Sequence, residues 1–217
     1  MPNTAGARRF EKEFARATGN VVSIQKHKCR VFRAMDDGSW DETVFQEWRT
    51  LGITREIPGT NFIAQVGTFS CDHIDHGSMF LADHLPSHLE GSAADLGAGW
   101  GYLSDAVLRC CPKIERLDVF DVDARALACA CRNLGGHETE IAFHWHDVTN
   151  GLTSAYDTIV MNPPFHTGQA TDVDLGRAFL NVANRQLPYE AVLEASGLAW
   201  RIVAEDKAYK ILSANRY

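Results

Sequence analysis

From Ala93 onward this 217-residue chain alternates short apolar runs with amphipathic stretches of helical length. The pattern predicts strands at 92–96, 115–121, 140–145 and 155–161, with helices near 102–111 and 123–133 between the first three. A helix between two strands returns the chain to the same end of the sheet, so the strands must lie parallel. The expected fold class is α/β, a doubly wound, mostly parallel sheet that receives ligands at the carboxyl ends of its strands. Runs at 199–204 and 209–214 flank the charged turn Glu205-Asp206-Lys207 and are too close for a crossover. They predict a C-terminal antiparallel hairpin, and Leu187-Pro188 predicts a helix near 188–196.

The first third of the chain follows another rhythm. Residues 7–17 place Phe10 and Phe14 four apart among charges, as on a surface helix with one apolar stripe, and Val21 to Ala34 reads as strand, turn, strand. Residues 35–66 carry Asp-Asp-Gly and Pro-Gly turn signals and read as a connector. The expected organisation is one domain over 1–60, connector included, and a second over 61–217.

Composition narrows the function classes. At 45% hydrophobic residues the chain can bury a sizeable core. Its apolar runs fall short of the ~18 residues of a membrane span, and its polar start lacks a signal peptide's apolar stretch, so a cytoplasmic protein is expected. A net charge of −7 argues against a general nucleic-acid binder. Residues 1–33 nevertheless carry eight Lys and Arg against Glu11 and Glu13, a basic face able to meet phosphates. The six cysteines form no CxxC pair, which predicts free, mostly buried thiols. Cys71-Asp72-His73 with His76 is the best metal candidate, but an incomplete ligand set; no metal is expected.

The first strand ends in Asp95-Leu-Gly97-Ala-Gly99-Trp-Gly101. Such glycines let the backbone turn tightly and let a ligand approach with no Cβ in the way. The spacing is GxGxG, not the GxGxxG that presents amides to a pyrophosphate, and S-adenosylmethionine, which has no phosphate, suits it better. The Asp95 carboxylate can accept from that cofactor's ammonium. Asp121 closes the next strand, Leu117 to Asp123, where a carboxylate can accept both ribose hydroxyls; Asp123 reads as the cap of the following helix. Asp147 follows the third strand and can accept from the adenine amino group, or serve as a plain turn residue.

Asn162-Pro163-Pro164-Phe165 follows the apolar strand Tyr156 to Met161. The prolines stiffen the turn and contribute carbonyls without amides, leaving it rich in acceptors. The Asn162 side chain and the Pro163 carbonyl can hold the two N–H bonds of an exocyclic amine and aim its lone pair at a methyl donor. Phe165 can stack on an unstacked base, while His166 reads as a polar lining residue.

These residues resemble the class I S-adenosylmethionine-dependent methyltransferases and, within them, the RsmC type, which methylates guanine N2 in small-subunit ribosomal RNA. The resemblance covers about residues 60–217. It rests on Gly67-Thr-Phe-Ser70 with Asp75-His-Gly-Ser78, on the two motifs above extended to His166, and on Val182 to Tyr189. It implies a Rossmann-like methyltransferase sheet, S-adenosylmethionine as cofactor, and ribosomal RNA or the small subunit as partner. It also implies that Phe69, Asp75, Gly77 and Ser78 wall the pocket, although Phe69 could equally be core and Ser78 a helix cap. Residues 1–34 resemble the tail of the family's first, cofactor-less domain. The family's alternatives are large-subunit guanine-N2 methylation, protein glutamine methylation, and an RNA-binding module without chemistry. Between His166 and Val182 lie 15 residues, too few for the helix and central strand that the family has there, ~11 and ~5 residues plus loops. An internal segment is therefore expected to be missing at that point.

Overall fold

The structure is a computed structural model and describes residues 1–163, 166–167, 170–171, 199–206 and 209–215. The chain forms two compact units, Met1–Ile53 and Thr54–Tyr217. In the first, helix α1 (Ala7–Thr18) precedes an antiparallel hairpin of β1 (Val22–Lys26) and β2 (Cys29–Arg33), followed by helix α2 (Glu42–Leu51). His27 and Lys28 turn the hairpin with φ of 51° and 58°, the left-handed pair whose twist suits a two-residue loop. Phe14 packs its ring 5.6 Å from that of Phe32, whereas Phe10 stays exposed, so only half of the helix stripe is used.

The expected connector is structured instead. It carries α2, whose first turn is capped by the Asp41 carboxylate accepting from the amides of Thr43 and Val44, and an antiparallel pair of β3 (Thr54–Glu56) and β4 (Ile63–Gln65). The turn signals at Gly38 and Pro58-Gly59 mark gaps between elements too short to stand out by periodicity.

The second unit continues through helix α3 (His76–Ala82), β5 (Glu90–Leu96), helix α4 (Tyr102–Cys110), β6 (Lys113–Asp121), helix α5 (Ala124–Asn133), β7 (Glu140–Trp145) and β8 (Thr158–Met161). The four strands run parallel in the order β7-β6-β5-β8. The strand starting later than expected is β8. Tyr156 and Asp157 belong to the loop before it, the Tyr156 hydroxyl donating to Asp118 at 2.7 Å and Asp157 accepting from the Ser92 amide at 2.8 Å. Strand β5 is covered on both faces, which accounts for its apolar run. Ala93, Leu117 and Val119 meet Val107, Leu127 and Leu134 of the helical layer, and Ala94, Leu96 and Phe120 meet Val148, Tyr156 and Met161 opposite.

Beyond this sheet lie a short pair, β9 (His166–Thr167) with β10 (Ala170–Thr171), and the expected antiparallel hairpin of β11 (Ala199–Glu205) and β12 (Lys210–Asn215). The expected helix near 188–196 lies outside the described residues, as does most of the shortened stretch between His166 and Val182. No described helix is long and apolar enough to cross a membrane. All six cysteines are free, but only Cys111 and Cys129 are buried, which corrects the expectation of mostly buried thiols. Positions one or two apart near α4 and within α5 face different directions, so one member of each cysteine pair turns outward.

Asn133, the last residue of α5, ties β4 to the start of α4. Its Oδ1 accepts from the Ile63 amide at 2.9 Å, and its Nδ2 donates to the carbonyls of Ile63 at 2.9 Å and Trp100 at 2.7 Å. Asn133→Ala leaves these half-buried groups without partners and is expected to cost about 2 kcal/mol. Urea unfolding checks this; a midpoint equal to that of the parent protein refutes it.

Candidate cofactor and substrate site

The parallel register pairs Leu96 of β5 with Phe120 of β6 and Met161 of β8. Gly97 and Asn162 therefore leave neighbouring strands at the same end of the sheet. The two motifs, 67 positions apart in sequence, meet there because β5 and β8 are adjacent.

The glycines do different work. The amides of Gly97 and Ala98 both donate to the Phe120 carbonyl, at 2.9 and 3.0 Å, turning the chain over the end of β6. Gly99, at φ 59°, has open space where a Cβ would stand, so the backbone there is bare to a ligand. At Gly101, φ 92°, a Cβ would come within 3.2 Å of the Ala130 Cβ, so this glycine serves the packing of α4 against α5.

Asp95 has no exposed surface. Its Oδ2 accepts from the Ser104 hydroxyl at 2.7 Å, while its Oδ1 has no partner. Burial pushes its pKa up to about 7, against the opposing Ser104 hydrogen bond, and the nearby Asp121 charge adds to the rise. An unpaired buried carboxylate oxygen calls for a cation or a proton. Asp121 gives one oxygen to the Gly99 amide at 2.8 Å and the other to the Asp123 amide at 2.7 Å. It thus pins the glycine turn and keeps lone pairs for a further donor. Its pKa is also raised, chiefly by burial. Asp123 caps α5 through the Arg125 amide at 2.9 Å, as expected.

Past the end of β7, Val122, Trp145, His146 and Asp147 line an open cleft of about 490 Å³. The Trp145 Nε1 donates to the Val122 carbonyl at 2.8 Å, which fixes one wall. Asp147 Oδ1 accepts from the amide and hydroxyl of Thr149, at 3.0 and 2.7 Å, so it is a turn residue that also faces the cleft. An orphaned acid, a bare glycine backbone and an open cleft follow one another across the ends of β5, β6 and β7. That order fits an elongated ligand with a cation at one end and a flat ring at the other.

On the other side of β5, the Asn162 Nδ2 donates to Asp75 Oδ2 at 2.8 Å and to Ser78 Oγ at 2.9 Å. Pro163 is buried beside it, and Phe165 and the His166 side chain lie outside the described residues. Ser78 is not the helix cap that its position allowed. Asp75 caps α3, its carboxylate accepting from the Ser78 amide at 2.9 Å, and the Ser78 hydroxyl is left to meet Asn162. Phe69 is 65% exposed and so is not core. Sequence reasoning missed Ser104 and the Val122, Trp145 and His146 walls. A serine one turn into the helix after a glycine motif was a usable signal for the first, but nothing local marks the others.

Residues 59–213 match the family model described as the methyltransferase small domain. The chain belongs to that family. Among curated members it resembles the ribosomal RNA small subunit methyltransferase C of Shewanella denitrificans, 32% identical over 70% of this chain and 47% of that protein. The protein of the same name from Shewanella sp. strain MR-7 is also 32% identical, over 91% of this chain and 61% of its own length. The chain thus spans roughly half to three-fifths of these relatives. A solved T. thermophilus 16S rRNA N2 guanine methyltransferase (RsmC), in complex with AdoMet and guanosine, superposes with a TM-score of 0.71 at 24% identity, covering 97% of this chain and 62% of that one. This member of the small-domain family therefore shares the Rossmann-like fold of that solved structure.

The Asp95 proton offers a test of the site without a ligand. The folded protein holds it up to about pH 7, whereas an unfolded chain releases it near 3.8. The stability this group contributes is complete below about pH 4 and fades as the pH rises through 7. Asp95→Asn cannot titrate, so the difference in unfolding free energy between parent and variant should change by a few kcal/mol between pH 4 and 8. Urea midpoints that move in parallel over that range exclude the shifted acid.

Proposed function

We propose that the chain transfers a methyl group from S-adenosylmethionine to the exocyclic N2 of a guanine in small-subunit ribosomal RNA. The observation that carries this reading is the Asn162 amide, held with its donor end turned inward at the lip of a glycine turn that a ligand can approach. The relatives' name supports the substrate class, and the residues around Asp95 fit the cofactor. The orphaned Asp95 Oδ1 suits the ammonium, directly or through water; Asp121 suits the ribose hydroxyls; and the cleft at Val122, Trp145 and Asp147 suits adenine. The sulfonium, when bound, supplies an electrophilic methyl group. Phe69 and Ser78 belong to the walls of the same pocket.

The chain's own part is orientation. Asn162 Oδ1 and the Pro163 carbonyl accept the two N–H bonds of the amine and draw its lone pair out of conjugation with the ring. The nitrogen forms its bond to carbon as the sulfur–carbon bond breaks, and the surplus N–H proton then leaves to water, so no strong base is needed. Phe165 is assigned to stacking on the extruded base. Arg8, Arg9, Lys12, Lys26, Lys28 and Arg33 are exposed in the first unit and suit RNA phosphates. That unit is read as the tail of a preceding domain in the longer relatives.

Tritiated-methyl transfer to small ribosomal subunits and to free RNA, followed by nucleoside analysis, should yield N2-methylguanosine. N6-methyladenosine, methylglutamine or transfer to the large subunit would replace the substrate assignment. Asn162→Ala is expected to lower kcat by about a hundredfold with S-adenosylmethionine Kd nearly unchanged. Equal loss of both contradicts its role.

A further inference from the structure

We infer that Asp75 and Ser78 are positioning residues that set which end of the Asn162 amide faces the substrate; this rests on the proposed amine methylation. A side-chain amide is nearly symmetric in shape, so its orientation is decided by its partners. The reaction tolerates only one orientation. Turned outward, Oδ1 accepts an N–H of the incoming amine, whereas an outward Nδ2 would set donor against donor.

The surroundings impose the productive choice. Nδ2 carries two N–H bonds, and both are used, one by Asp75 Oδ2 at 2.8 Å and the other by Ser78 Oγ at 2.9 Å. The two partners are not equivalent. A hydroxyl can donate as well as accept, so Ser78 alone would tolerate either end of the amide. An ionised carboxylate only accepts, so Asp75 removes the ambiguity, and the charge shortens and strengthens the bond. The same Asp75 oxygen caps α3 through the Ser78 amide at 2.9 Å, which locks the carboxylate in place.

Tyr209, just before β12, packs against this first turn of α3. The Tyr209 ring lies where a side chain on Gly77 would put its Cβ, 2.6 Å from Cε1, so a glycine is required between the two positioning residues. His76 packs its ring 5.3 Å from that of Tyr209. Residues from positions 75–78, 162 and 209 thus converge on one amide. The Asp-x-Gly-Ser spacing follows from three needs: a cap, a glycine under the tyrosine, and a hydroxyl one helical turn on.

Two readouts test this. In the protein alone, the Asn162 side-chain NH₂ resonance is assigned by its loss in Asn162→Ala. It should exchange slowly with water and shift in Asp75→Asn and Ser78→Ala; fast exchange, or no shift in either variant, overturns the inference. In turnover, Asp75→Asn can keep an oxygen in the shared cap position and should retain most of the rate, whereas Asp75→Ala removes the oxygen that both caps α3 and accepts from Asn162. The alanine variant should lower kcat by about 10- to 100-fold with S-adenosylmethionine Kd unchanged. Ser78→Ala should fall in the same way, and Ser78→Thr, which keeps the hydroxyl, should recover most of the rate. The deciding measurement is the double variant. Because Asp75 acts through Asn162, Asp75→Ala should lower kcat no further on an Asn162→Ala background. Additive losses show a separate role for Asp75 and refute the inference, as does an Asp75→Ala variant of parental kcat. A parent protein that methylates no amine sinks the functional reading, while the resonance still judges the orientation.

Discussion

The parallel pairing of β5 between β6 and β8 is the constraint on which the rest depends. Side chains of a strand alternate between faces, so a slip of one residue would exchange the two faces of β5. Asp95 would leave Ser104, and Leu96 would enter the helical layer. The observed register instead stops three strands level, at Leu96, Phe120 and Met161, so that the three turns after them open at one edge. Apolar residues on both faces of β5 hold that register, and the proposed site lies where the apolar run ends.

Much of this was legible because a parallel sheet writes its periodicity into the sequence. The alternation from Ala93 predicted the strands and helices of the second unit, and the short spacing across Glu205-Asp206-Lys207 predicted the hairpin. Local chemistry also reads well: Asp123 was recognisable as a cap because a cap is set by its neighbours within one turn. The residues misread are those whose role is decided far along the chain. Strands β3 and β4 have three residues each, too few to show a period, and are held by Asn133, 70 positions from Ile63. Ser78 stayed open between pocket wall and helix cap because its partner, 84 positions away, could not be seen. The exposure of Phe69 depends equally on what the fold leaves uncovered. Phe165 and the expected helix near 188–196 lie outside the described residues and remain sequence expectations.

The glycine turn shows how such distant contacts divide the work within one motif. Gly97 and Ala98 bend the chain onto the Phe120 carbonyl, Gly99 is bound by Asp121 and bare to solvent, and Gly101 admits α5. Gly99 has open space where a Cβ would stand, and Gly101 does not. A motif that sequence presents as one feature thus combines a bend onto β6, an open backbone position and a helix contact.

Two buried carboxylates on adjacent strands show which kind of burial marks a site. Asp118 is almost wholly enclosed, and burial alone would raise its pKa. The Arg116 guanidinium at 2.9 and 3.1 Å and the Tyr156 hydroxyl at 2.7 Å outweigh that and hold it below the ordinary range. The same contact pushes the Tyr156 hydroxyl up to about 12, burial being the larger cause. Asp118 is thus satisfied from within the fold and has no capacity that a ligand must fill. Asp95 has only the neutral Ser104 hydroxyl, keeps an oxygen without a partner and is displaced upward. Removing a charge from water without supplying a partner destabilises the chain by itself. Such a group is tolerable where a cationic ligand completes it, as the ammonium of a sulfonium amino acid would. The difference between the two aspartates lies in what each lacks, and on that ground the end of β5, rather than the equally acidic middle of β6, supports the proposed cofactor site.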